Sequence, residues 1–124
     1  MISGIGIDSI EVERINNQIL KGNRFKERIF TPKEISYCES KKYRAQNYAA
    51  CFSAKEAFLK ALGTGWRFGL SHRDIEIVND NLGKPVIVLY GKAKKFAEDN
   101  KITNIHVSLT HLKHIATAIV TVEK

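Results

Sequence analysis

Two carboxylates stand where this chain can do chemistry. Asp8 follows the glycine-interleaved run Gly4-Ile5-Gly6-Ile7, and Glu56 sits in FSAKEAFLKALGTG at 52–65. Together they can hold a divalent cation, because Mg²⁺ takes one or two protein carboxylates and completes its shell with water and substrate phosphate. Each also has a plain structural use, Asp8 as a helix cap and Glu56 as an ion pair with Lys60 at i,i+4 spacing. Lys60 can neutralise a phosphate or pass a proton, or simply be a solvated charge. Lys55 is the odder lysine: it falls among apolar neighbours, so it either snorkels out or reaches a buried anion. His111, closing the run Ser108-Leu109-Thr110-His111, can donate to a phosphate, act as acid or base, or be a hydrogen-bonded corner residue. His106 and His114 flank it without zinc spacing. Gly83-Lys84-Pro85 is a common turn and carries little by itself. No GxSxG is present, and Ser108 and His111 lie too close in one strand-turn for a nucleophile and its base.

These residues need elements to position them. On a helix at about 100° per residue, Phe52, Ala54, Ala57, Phe58, Leu59, Ala61 and Leu62 form a wide apolar arc, leaving Ser53, Glu56 and Lys60 as a polar stripe. A polar stripe on a core helix must find partners or water, so it is expected to line a cleft. The helix spans about 44–62 and stops at Gly63 and Gly65, which permit positive φ and close approach of a ligand. A strand is expected over 2–7 with Asp8 at its end, then a helix capped by Ser9 with Ile10, Ile15 and Ile19 on its apolar side and Gly22 at its close. Residues 21–33 are the most basic stretch, with Phe25, Ile29 and Phe30 as anchors. Thr31, Pro32 and Glu34 spell a capping box for a short helix to about residue 38. Strands at 75–78 and 86–90 flank the turn NDNLGKP, a helix follows over 92–99, and strands at 104–110 and 115–122 meet at the corner LTHLKH. The expected architecture is α+β, one domain over 1–124, with an antiparallel sheet packed on the long central helix.

Composition bounds the function. The chain has 124 residues, 44% hydrophobic and 27% charged, which suits one globular domain at a size where oligomerisation often helps. No apolar run approaches the ~20 residues that span a bilayer, and MISGIGID lacks the features of a signal peptide, so a cytoplasmic protein with no membrane partner is expected. Cys38 and Cys51 form no CxxC pair and read as free structural thiols. Twenty Lys and Arg against 13 Asp and Glu give +7, which points to an anionic partner: nucleic acid, a polyphosphate ligand or an acidic protein.

Taken together, GIGIDSIEVERI at 4–15, FSAKEAFLKALGTG, NLGKPVI at 81–87 and HVSLTHLKHIATAIV at 106–120 resemble the holo-[acyl-carrier-protein] synthases, the small bacterial 4'-phosphopantetheinyl transferases. The order, spacing and total length agree across the whole chain. The resemblance implies a 4'-phosphopantetheinyl transferase-like fold and transfer of the phosphopantetheine arm of coenzyme A to a serine of apo acyl carrier protein, for fatty acid biosynthesis, releasing adenosine 3',5'-bisphosphate. It makes Asp8 and Glu56 Mg²⁺ ligands, with Lys60 stabilising charge at the transferring phosphate or protonating the leaving group. His111 would bind the coenzyme A phosphates. Ser108, Thr110 and Gly63-Thr64-Gly65 would border the nucleotide, with Lys84 and Pro85 near the adenine. Arg14, Lys21, Arg24 and Arg28 would dock the acidic carrier protein. It also implies a homotrimer with sites between subunits. Members often carry a basic residue where Cys51 stands and an acidic one near Gln46; Lys42 and Arg44 can substitute as phosphate contacts. The reading from another class is a small basic nucleic-acid-binding domain, for which no recognition-helix or RNP-type pattern is found. A third is a Mg²⁺-dependent phosphohydrolase.

Overall fold

The computed structural model describes residues 1–124. Its axis is α4 (Arg44–Leu62), rich in alanine and aromatics, with Ala54, Ala57, Phe58 and Leu59 fully enclosed. The helix stops at Gly63, whose φ of 77° lets its N–H close back on the carbonyls of Leu59 and Lys60. Across one face of α4 lies a three-stranded antiparallel sheet in the order β1 (Ile2–Glu11), β5 (Ile115–Glu123), β4 (Asn104–His111). Between β1 and β5 run α1 (Val12–Leu20), α2 (Phe25–Ile29), α3 (Pro32–Glu39), α4, the hairpin β2 (Ile75–Asn79) and β3 (Pro85–Leu89), α5 (Gly91–Asp99) and β4. The hairpin pairs only with itself, and its turn is tied by Asp80, whose side chain accepts from the N–H groups of Leu82 and Lys84.

The sheet sits close on α4 because its inner face is small. An added Cβ at Gly6 would lie 2.0 Å from the carbonyl oxygen of Ala57, and one at Gly4 would lie 2.0 Å from that of Ala61. Gly6→Ala should therefore force β1 away from α4 and cost about 1–3 kcal/mol, read as a lower urea midpoint. An unchanged midpoint would show that the two elements can part freely. Ala116, Ala118, Val120 and Val122 of β5 face α4, and Ile105, Val107 and Leu109 of β4 continue that layer. The opposite face carries exposed Ile5, Ile7 and Ile119, 64, 60 and 39% accessible in the single chain.

Two expectations at the N-terminus are corrected. The first strand does not stop at residue 7. Pairing with β5 continues through Asp8↔Ala118, Ser9↔Thr117 and Glu11↔Ile115, because β5 offers partners along its whole length. Asp8 is thus an interior strand residue on the same face as Gly4 and Gly6, turned toward α4. Ser9 caps no helix; its hydroxyl meets that of Thr117 at 2.8 Å, and α1 begins at Val12. The basic stretch also contains a helical turn, α2, that its composition did not announce. The Thr31 capping box forms as expected, with both reciprocal hydrogen bonds present.

Lys55 resolves as the buried-anion case. Its side chain is wholly enclosed, and its ammonium donates to Glu34 Oε1 at 2.8 Å and to the carbonyls of His72 and Ile75 at 2.8 and 2.6 Å. Glu34 also accepts from the N–H of Thr31 and of Ile77 and from the Cys51 thiol. Every donor of the lysine is used, which offsets the cost of enclosing both charges. Both cysteines are free and buried. Burial, with the Glu34 charge second, pushes Cys38 up to about 12 and Cys51 well above its usual value, so both stay protonated thiols.

Candidate active site

The strand period that turns Asp8 toward α4 brings it onto the polar stripe of the helix. Lys60 Nζ donates to Asp8 Oδ1 at 3.1 Å and to the carbonyl of Ile7 at 3.0 Å. Ser53 Oγ lies 2.7 Å from the Asp8 carbonyl oxygen and 3.0 Å from Oδ2. Ser53 is wholly buried: it is a strut fixing Asp8 and not part of an exposed stripe. The Glu56–Lys60 pair is not formed, since Lys60 turns to Asp8.

Glu56 and Asp8 line one cavity of about 320 Å³, with Arg14, Gln18, Phe25 and Phe52 among its walls. Burial raises the Glu56 carboxyl above its ordinary value and the Asp8 charge adds to this, while the Lys60 charge and the nearby Trp66 indole oppose it. Two carboxylates held near enough to repel across a small cavity are a donor set that a hard cation relieves. No cluster of three His, Cys, Asp or Glu occurs, so a cation here would draw its remaining oxygens from water or substrate, as Mg²⁺ does. Beside the cavity, Phe52 and Trp66 pack on the His72 ring with centroids 5.5 and 3.6 Å away. Burial, and then the Lys55 charge, push that imidazole down to about 4, so it is a neutral stacking partner.

A second cleft, about 570 Å³, opens between α3, α4, the β2–β3 hairpin and the end of β4. Lys33, Asn47, Cys51, Gly83, Pro85 and His111 are among its lining residues. The Nδ1 of His111 lies 2.7 Å from Gln46 Oε1. No residue lines both cavities.

The expected nucleotide residues therefore divide. His111 and Pro85 meet in the second cleft, but Lys84 is exposed outside its lining. Ser108 and Thr110 lie on the opposite face of β4 from Leu109 and His111, because neighbouring side chains alternate along a strand, so within one chain they do not join His111. Lys42 stacks over Tyr43 and Arg44 pairs with Glu39 at 3.0 Å; neither lines the cleft. Gly63 and Gly65 take positive φ, Thr64 is buried, and Arg67 donates to the carbonyls of Gly63 and Thr64. Arg14 reaches the rim of the carboxylate cavity, and Lys21, Arg24 and Arg28 are exposed around α1 and α2. Gln46 as the partner of His111 had no local signal, since 65 residues separate the two.

A family model described as the 4'-phosphopantetheinyl transferase superfamily matches residues 4–119. The holo-[acyl-carrier-protein] synthase of Geobacter sulfurreducens is 47% identical over 125 residues, covering 100% of this chain and 99% of that protein. The crystal structure of the Neisseria meningitidis holo-[acyl-carrier-protein] synthase superposes with a TM-score of 0.92 at 37% identity, covering 100% of both chains. The Helicobacter pylori enzyme in complex with coenzyme A superposes at 0.85 with 32% identity, over 96% of this chain and 99% of that one. With the family model matching residues 4–119 and the fold and sequence matches covering nearly the whole of the chain, it belongs to the 4'-phosphopantetheinyl transferase superfamily.

Proposed function

We propose that this chain transfers the 4'-phosphopantetheine group of coenzyme A to a serine hydroxyl of apo acyl carrier protein, releasing adenosine 3',5'-bisphosphate. The observation that carries this reading is the Asp8–Glu56 pair on one cavity wall with Lys60 hydrogen-bonded to Asp8. Asp8 and Glu56 are the residues to hold Mg²⁺, which when bound supplies charge neutralisation at the pyrophosphate. Transfer of a phosphoryl-type group is mainly positioning and electrostatics, so no covalent enzyme intermediate is needed. The acceptor serine oxygen forms a bond to the pantetheine-side phosphorus as the phosphoanhydride bond breaks, and its electrons go to the departing bisphosphate oxygen. Lys60 faces the charge that develops there and can supply its proton. Ser53 holds Asp8 rigidly, and the Glu56 oxygen not engaged by a cation would accept the serine proton.

The two cavities share no residue, and the outer sheet face leaves Ile5, Ile7 and Ile119 uncovered. Both features favour a homotrimer in which the carboxylate cavity of one subunit meets the His111 cleft of its neighbour around one coenzyme A. Ser108 and Thr110, on the outer face, would then serve a neighbouring subunit's site. Arg14, Lys21, Arg24 and Arg28 form the dock for the acidic carrier protein beside the carboxylate cavity.

The test mixes the protein with apo acyl carrier protein, coenzyme A and Mg²⁺ and weighs the carrier. Absence of the added phosphopantetheine mass from a folded enzyme overturns the reading, and phosphate release without any acceptor supports a phosphohydrolase instead. Arg14→Glu or Arg24→Glu should raise the carrier-protein KM severalfold with kcat little changed, and the difference should shrink with salt. Equal KM values at low salt would remove the docking surface.

A further inference from the structure

The hydrogen bond between His111 and Gln46 joins two side chains from distant parts of the chain at 2.7 Å, beside the larger cleft. An imidazole has two nitrogens, and the partner of one decides what the other can do. Here the amide oxygen of Gln46 takes Nδ1, and an amide oxygen only accepts. Nδ1 therefore keeps its proton, and Nε2 is the ring nitrogen left for a ligand. In the neutral ring that nitrogen bears a lone pair and repels a phosphate oxygen. It becomes a donor only when the ring takes up a second proton.

We infer that Gln46 is a positioning residue that holds His111 in the Nδ1–H form, so that binding of a phosphate group by Nε2 is accompanied by uptake of one proton from solution. The inference rests on the reading of the His111 cleft as the coenzyme A phosphate site. A carboxylate at position 46 would favour the charged ring before any ligand arrived; the amide orients the ring without committing its charge. The remaining charged and titratable neighbours do not substitute for it. From α3 come Lys33, Tyr37, Cys38 and Glu34, the last already neutralised by Lys55. From α4 come the protonated thiol of Cys51, and Arg44, which is engaged by Glu39. Lys84 stands outside the cleft on the hairpin turn, Lys113 and His114 lie in the corner after β4, and β5 opposes His111 with Ala116. None of them accepts from Nδ1.

The first test needs no ligand. Nitrogen-15 NMR of histidine-labelled protein at pH 8, where a histidine ring is mostly neutral, should show His111 protonated at Nδ1, its signals assigned by their loss in His111→Ala. In Gln46→Leu the ring should revert to the Nε2–H form that unconstrained imidazoles prefer. The second is calorimetry of coenzyme A binding at pH 8 in two buffers of different ionisation enthalpy. About one proton should be taken up by the native protein and markedly less by Gln46→Leu, with the coenzyme A KM raised about tenfold and kcat little affected. Gln46→Asn, which keeps the amide on a shorter stem, should not restore the native values, whereas Gln46→Glu should bind coenzyme A without the proton uptake. An Nε2–H ring in the native protein, or proton uptake indifferent to Gln46→Leu, overturns the assignment to Gln46. The Nδ1–H signature in a protein that fails to bind coenzyme A overturns the transfer reading alone.

Discussion

Glu56→Gln is expected to abolish transfer, lowering kcat by about 10³-fold or more on the scale of lost electrostatic stabilisation at a reacting group, while raising the melting temperature. Both halves follow from the same environment. The Glu56 carboxyl is raised by burial and by the Asp8 charge, so the folded protein binds its proton more tightly than the unfolded chain does. With a raised carboxyl, stability falls as pH climbs from the unfolded value through the folded one, and at neutral pH the ionised Glu56 is a net cost. The neutral amide removes that cost and with it the ligand for a cation. Asp8→Asn should also lose activity, but without the gain in stability, because Lys60 and Ser53 are already hydrogen-bonded to the Asp8 carboxylate. Carrier-protein mass for activity and calorimetric melting at pH 7 for stability decide the matter. A Glu56→Gln protein that turns over normally, or that melts well below the parent, would remove Glu56 from the centre proposed here.

The largest loss of stability is expected at Lys55→Met. The methionine fits the volume but leaves the Glu34 carboxylate enclosed without its cation, a situation that costs about 3–5 kcal/mol in other buried pairs. The His72 and Ile75 carbonyls lose their donor at the same time. Against a total stability of about 5–15 kcal/mol for a domain, this should move the urea midpoint far and leave part of the protein unfolded at 37 °C. A loss below about 1 kcal/mol, the value of an ordinary neutral hydrogen bond, would show that Glu34 protonates or rehydrates instead. The Phe52–His72–Trp66 stack depends on the same node, since Lys55 holds the His72 carbonyl, so coenzyme A turnover should fall along with stability.

How far these features were legible in the sequence depended on the range of the interaction. The Thr31-Pro32-Glu34 cap and the Gly63 terminus lie within one turn of their partners, and both formed as read. The length of β1 is not legible locally, because nothing between residues 8 and 11 says where pairing ends; that is decided by β5, more than 100 residues away. Lys55 announced itself by standing in an apolar arc, but its anion, Glu34, was read only as a cap. The Glu56–Lys60 pair had the right spacing and lost to Asp8, a competitor that helix periodicity cannot see. The resemblance places Ser108, Thr110 and His111 at one nucleotide, whereas the strand alternates them between two faces of one chain. Asp8, Glu56 and Lys60 did come together, and motif likeness, more than pattern, had joined them.

Glu34 also bears on how the chain folds. Its partners lie 3, 17, 21 and 43 positions away, in its own helix cap, in α4 and at the middle of β2. Until all these segments have met, a carboxylate is being drawn out of water with only part of its compensation. Partly assembled forms are therefore penalised relative to both ends of the reaction, and α3, α4 and the hairpin should be acquired as one cooperative unit. Amide exchange should find their slowest protons opening together, with no stable species in which α4 is formed and β2 is not.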